Sequence, residues 1–172
     1  MTVQEINQAD SNTNLIQLSK GELSKEIFPL ERMKYVIRKV SEKIDTFGYE
    51  EPKGFLPLRK ALSDYLRTMG IHAPLSILTV SGALQALQLI SVGLLHKGST
   101  VFLETPSYLY SLHVFQSAGM KLSGLPIDEH GLLSKSISVP KNQHGRAILY
   151  SIPCFHNPTG ILMSEKRRQE LI

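Results

Sequence analysis

The 172-residue sequence has one cysteine, no tryptophan and no apolar run approaching the ~18 residues of a membrane span. Each shortage excludes something. Cys154 alone cannot form an internal disulfide, which fits a reducing compartment. The opening MTVQEINQADSNTN is polar and lacks the apolar core of a signal peptide, so the chain reads as cytoplasmic, with no membrane partner. Its 6 histidines make no i, i+4 pair, and His156, two residues from Cys154, is a poor basis for a zinc site without further ligands, so no metal is expected. Neither GxGxxG nor GxxxxGK[ST] occurs, which counts against a nucleotide cofactor. The net charge of +4 is modest, and no helix-turn-helix pattern, basic tail or finger spacing is present. Lys166-Arg167-Arg168 reads as a solvated helix face, so this chain is not expected to bind nucleic acid.

What is present is ordinary globular material, 42% hydrophobic and 20% charged, long enough for one domain with its own core. Helical spacing of Met33, Val36, Ile37, Val40 and Ile44 predicts a helix over 31–44. The stretch FGYEEPKG (47–54) is a loop by its glycines and proline, and 56–69 returns to helical period with Leu58, Leu62, Tyr65 and Leu66 on one side. Elements then alternate: short strand 77–80, helix 83–95, strand 100–103, helix 108–118, strand 120–127, strand 147–152 and a helix from Ser164. Strand and helix in alternation predict an α/β fold, a parallel-type sheet with helices on both faces. Such sheets bind ligands where loops leave the carboxyl ends of strands.

Three loops are expected there. Ser81-Gly82-Ala83 opens a helix whose first N–H groups are unpaired, and a glycine lets an anion come close; the loop is either a phosphate seat or a plain serine N-cap. Tyr108 follows Pro106, as a packing residue or as a ring that stacks on a flat heteroaromatic ligand. FHNPTG (155–160) follows the apolar run AILYSIP; Pro158 restricts Asn157, Gly160 permits a sharp step, and the turn aims the Asn157 amide at a partner unless it is only an ordinary turn. A phosphate, a flat ring and a ring hydroxyl together describe pyridoxal 5′-phosphate (PLP).

Five collinear stretches carry a resemblance: FGYEEPKGFLPLRKAL, ILTVSGALQAL, VFLETPSYLY, PIDEHGL and YSIPCFHNPTGILMSEKRRQEL. Over residues 15–172 the chain resembles the fold-type I PLP enzymes, within them the class I/II aminotransferases, of the 2-aminoadipate type or the aminotransferase-like domain of MocR-type regulators. The resemblance implies that Asn157 bonds the phenolic oxygen of the cofactor, Tyr108 stacks on its ring, and Ser81, Gly82 and Ala83 hold its phosphate. It further implies that Tyr49 reaches the phosphate of a neighbouring subunit in a homodimer, and that Gly21 lines the substrate side. Leu84 departs from the pattern, standing where relatives often have glutamine.

The family's Schiff-base lysine, its acid on the pyridine nitrogen and its carboxylate-binding arginine come well after the NPTG turn, so no catalytic residue is assigned here. Ser138-Val139-Pro140-Lys141 mimics the spacing around such lysines but precedes the turn and reads as coincidence. The sequence is therefore expected to be an N-terminal half, with an arm and helix over 1–45 and half of the PLP-binding large domain over 46–172. Whether it is an engineered fragment, a proteolytic remnant or a truncated gene product stays open. The expected parent is an aminotransferase acting on an amino acid and a 2-oxo acid; the alternative is a PLP-binding sensor domain of a transcription regulator. The isolated chain is expected to be inactive.

Overall fold

The computed structural model describes residues 21, 24, 26–43, 48–72, 76–139 and 147–172. The polar start, Ile44, Phe47 and Lys141, on which expectations were placed, lie outside them. The chain divides between Tyr49 and Glu50 into two compact units, each described by itself.

The first unit contributes one helix, α1 (Leu30–Ser41). Its apolar stripe forms as the spacing predicts, yet Met33, Val36, Ile37 and Val40 are all exposed. An amphipathic helix of this kind takes most of its stability from what covers that stripe.

The second unit holds the sheet. Helix α2 (Leu56–Thr68) comes first, with a proline in its first turn. The face it buries matches the apolar spacing in part: Leu62 and Leu66 turn inward as expected, with Arg59 and Ser63 beside them, while Leu58 and Tyr65 stay exposed. Ahead of it, Arg59 Nη1 bonds Glu51 Oε2 at 3.3 Å, and Thr79 N–H donates to Lys53 O at 3.1 Å. Gly54, at φ +95, lies where a Cβ would overlap Thr79 Oγ1, so only glycine suits this crossing.

Residues 77–80 form no strand, contrary to the apolar pattern. The Thr79 N–H is bonded to the Lys53 loop, and a single such bond is not a ladder. Helix α3 (Ala83–Gly93), strand β1 (Thr100–Thr105), helix α4 (Leu109–Ser117) and strand β2 (Lys121–Asp128) follow. Next come a two-residue strand β3 (Gly131–Leu132), a 3₁₀ turn (Ser134–Ser136), strand β4 (Ala147–Tyr150) and helix α5 (Glu165–Glu170). The sheet order is β3-β2-β1-β4. Strand β1 runs parallel to both β2 and β4, while β3 folds back antiparallel on β2, so the sheet is mixed at one edge.

Central β1 is buried along TVFLE, as expected of a strand covered on both faces, with Val101, Phe102 and Leu103 as its apolar middle. On one face Leu95, Val101, Leu103, Phe115 and Met120 pack together, joined by Leu87 of α3 and Leu112 of α4. On the other, Phe102 and Leu125 meet Leu132 and Met163.

Arg167 closes that second face, and the expectation of a solvated basic run is corrected for two of its three residues. Arg167 donates to Asp128 Oδ2 at 3.0 Å and to the carbonyls of Gly131 and Leu132 at 3.1 and 2.6 Å. Arg168 donates to the carbonyls of Met163 and Pro153 at 3.1 and 3.2 Å. Buried carbonyls need donors, and a guanidinium supplies several in one plane. The Arg167 guanidinium, and then the His130 backbone N–H, hold the Asp128 carboxyl below its usual range. A carboxyl lowered on folding stabilises the protein above its unfolded value and loses that contribution as pH falls through its folded value. Asp128→Asn should therefore flatten the acid limb of the stability curve below about pH 4 and leave the neutral region's slope unchanged. Urea midpoints measured across that range check it.

Candidate functional site

Because β1 and β4 are parallel and paired as far as Leu103 opposite Tyr150, their carboxyl ends open on the same edge of the sheet. The loop after β1 carries Tyr108 and the loop after β4 carries Asn157. Topology brings these two residues to one edge, as the alternating pattern predicts. Both loops contain a cis proline, at Thr105-Pro106 and Asn157-Pro158.

Tyr108 is half-buried and caps α4 with an extended backbone. Its ring lies 5.4 Å from that of Tyr110, tilted by 59°. Its carbonyl accepts from Ser111 Oγ at 2.7 Å, which fixes the first turn of the helix beneath it. Asn157 is exposed, between buried His156 and the rest of the turn. The turn is tied at three points: His156 N–H to Ile161 O at 2.9 Å, Gly160 N–H to His156 O at 2.5 Å, and His156 Nδ1 to Thr159 Oγ1 at 2.8 Å. Gly160 sits at φ +75, the left-handed step the sequence asks of it.

Ser81, Gly82 and Ala83 open α3, which packs on α4. Gly82 is the N-cap at φ +96 and ψ 169, and the helix has no side-chain cap. Nothing lies within 4 Å of where a Cβ on Gly82 would stand. Uncapped first-turn N–H groups beside an open glycine are the elements of an anion cradle. Gln85, one position beyond the departing Leu84, turns back so that its Oε1 accepts from Ser81 N–H at 2.6 Å. The glutamine there stiffens the turn. Tyr49 is fully exposed and Gly21 is exposed; both belong to the first unit, so neither is placed against the loops of the second.

Two residues in this region were given no role from the sequence, His156 having been weighed only as a poor zinc ligand. Glu104, 2% exposed, ends the buried part of β1, and His156, 4% exposed, lies against it. Glu104 accepts from Ser151 Oγ at 2.6 Å and from Ile152 N–H at 3.0 Å, joining the two loops from below. Among the described residues no group of three or more His, Cys, Asp or Glu could hold a metal, and no helix is long and apolar enough to cross a membrane.

An uncapped glycine-led helix start can hold an anion, and a tyrosine and an asparagine stand on paired strand exits. Residues 13–172 match the family model described as aminotransferase class I and II. The chain is 69% identical over 171 residues to a Bacillus subtilis (strain 168) protein named "Uncharacterized HTH-type transcriptional regulator YdfD", covering 99% of this chain and 36% of that protein. It superimposes on an archaeal alanine:glyoxylate aminotransferase with a TM-score of 0.83 at 27% identity, over 98% of this chain and 44% of that one. Pyrococcus horikoshii kynurenine aminotransferase, solved in complex with PMP, gives 0.81 at 29% identity, over 98% and 44%. The chain thus spans less than half the length of each of these proteins. A family match reaching from residue 13 to the last residue, on a sheet whose loops are built as described, makes the chain a member of the aminotransferase class I and II family.

Proposed function

We propose that the chain forms the cofactor-cradling part of a PLP-binding aminotransferase domain. The observation that supports this best is the Gly82 helix start, open on its side-chain face and uncapped, on the unit that carries Tyr108 and Asn157 on paired strand exits. Ser81, Gly82 and Ala83 would hold the phosphate through hydroxyl and backbone N–H groups. Tyr108 would stack on the ring, and Asn157 would bond the ring oxygen through its amide. When bound, the group supplies an electron sink for bond changes at the α-carbon of an amino acid. These residues would bind and orient it; the covalent anchor is assigned to no lysine of this chain. The ligand class is an amino acid with its 2-oxo acid.

Tyr49, fully exposed, would reach the phosphate of a second subunit, and the exposed stripe of α1 suits a homodimer. Gly21 would line the substrate side. The exposed free thiol of Cys154 fits the reducing cytoplasm. A second reading has its own support: the 69% identity to an HTH-type regulator favours a parent in which this domain senses an amino-acid ligand, with nucleic acid contacted outside these residues. Turnover of amino donors by the purified full-length protein favours the enzyme; amino-acid-dependent DNA binding without turnover favours the sensor.

Gly82→Val tests the cradle. The substitution places a β-branched side chain at φ +96 and fills the open face. It should weaken binding of inorganic phosphate and of 4′-deoxypyridoxine 5′-phosphate by about tenfold or more, the effect of losing charge-assisted bonds to an anion. Calorimetric titration reads both. Unchanged affinities in a folded variant would remove the phosphate from this helix.

A further inference from the structure

Glu104 is a carboxyl group at 2% exposure, ending the buried run of the central strand. Burying such a group is costly unless it is bonded, so its place asks for a reason. Its partners all belong to the exit of β4. Ser151 Oγ donates to Oε1 at 2.6 Å, Ile152 N–H donates to Oε2 at 3.0 Å, and His156 Nε2 stands 3.4 Å from Oε2. That last separation lacks hydrogen-bond alignment: Nε2 is buried with no bonded partner, while Nδ1 is engaged by Thr159. Ile127, Ile161 and Met163 line the same space and are apolar, leaving Glu104 the charged side chain that faces the imidazole.

The positions along the chain give the arrangement its meaning. Glu104 immediately precedes the Thr105-Pro106-Ser107-Tyr108 turn, and His156 immediately precedes Asn157. One buried side chain therefore ties the loop bearing Tyr108 to the loop bearing Asn157, across 47 and 48 positions of sequence. The Ser81-Gly82-Ala83 turn is on another element.

We propose that Glu104 is a positioning residue for the cofactor ring: through Ser151 and Ile152 it fixes the spacing between Tyr108 and Asn157. The inference rests on the PLP reading above. Two contacts to one flat ring must hold their geometry to about half an ångström, and loops keep such geometry only when a rigid scaffold supports them.

The test uses the full-length protein, with affinities read by calorimetry for two probes, 4′-deoxypyridoxine 5′-phosphate and inorganic phosphate, and the ring's absorbance read when bound. Glu104→Gln keeps the tie, because its amide can donate to Ser151 Oγ and accept from Ile152 N–H; its ring affinity should stay within about threefold of the parent. Glu104→Leu breaks the tie. It should bind the ring probe about tenfold more weakly, leave phosphate affinity nearly unchanged, and move the bound ring's absorbance toward its free-solution form. A Leu variant that loses both probes in step, or neither, overturns the proposal. Should Leu fail to fold, Ser151→Ala, which removes one donor, must lower ring affinity while sparing phosphate; equal ring affinity overturns it. If the unsubstituted protein binds phosphate but not the ring probe, the PLP reading itself fails, and the role of Glu104 with it.

Discussion

Replacing Asn157 with alanine should weaken binding of 4′-deoxypyridoxine 5′-phosphate by about ten- to a hundredfold, with phosphate affinity left almost intact. A hydrogen bond to a charged group contributes about 1.5–3 kcal/mol, and each 1.4 kcal/mol is tenfold. Asn157 is exposed at the exit of β4, so its truncation leaves no buried cavity and no buried group unpaired. The turn beneath is held by His156, Thr159, Gly160 and Ile161, none of which uses the Asn157 side chain. The loss should therefore fall on the ligand, with little change in melting temperature. Asn157→Asp is the sharper variant: it keeps the shape, and places a carboxylate against an ionised ring oxygen. It should bind more weakly than alanine does. An alanine variant with parental ring affinity would take Asn157 out of the site.

The largest effect on stability is expected at Phe115. Its side chain is 0% exposed, packed with Leu95, Val101, Leu103 and Met120, and its ring meets Tyr150 edge-on at 5.4 Å and 69°. Phe115→Ala should cost about 3–5 kcal/mol, the loss of transfer energy plus the cavity left behind. That is a large share of the roughly 5–15 kcal/mol available to a folded domain. Phe115→Leu keeps more of the volume and should cost less. Denaturant midpoints at constant slope would measure both. The cavity would open beneath Tyr150, one residue before Ser151, so a folded alanine variant should also hold the ring probe less tightly than the leucine variant. Costs below about 1 kcal/mol for alanine would mean that α4 does not pack on the sheet as described.

Most elements of the second unit were legible because each is local and periodic. β1 reads as a strand around apolar residues 101–103, α3 and α4 end near their predicted limits, and Ser164 caps α5 by accepting from Arg167 N–H at 3.3 Å. What failed depended on partners distant in sequence. Residues 77–80 look like a strand, but a strand is defined by what lies beside it, and Thr79 bonds a loop. The two-residue β3 has no periodicity to read, and α2 buries Arg59 and Ser63, which an apolar count ignores. Arg167 and Arg168 looked like surface charge, since nothing in KRR announces carbonyls 35 and 15 positions away. The site divides the same way. The loops carrying Ser81, Tyr108 and Asn157 have local signatures. Glu104 and His156 have none, because their relation exists only once β1 and β4 are side by side.

The most direct test is a titration of the purified full-length protein with PLP, followed by absorbance, then borohydride reduction and peptide mapping. Saturable binding is predicted, weakened about tenfold or more by Gly82→Val, with the covalent label on a lysine outside these 172 residues. No saturable binding would contradict the PLP reading of this domain. A label on Lys141, or on any other lysine of this chain, would contradict the assignment of its residues as cradle without anchor.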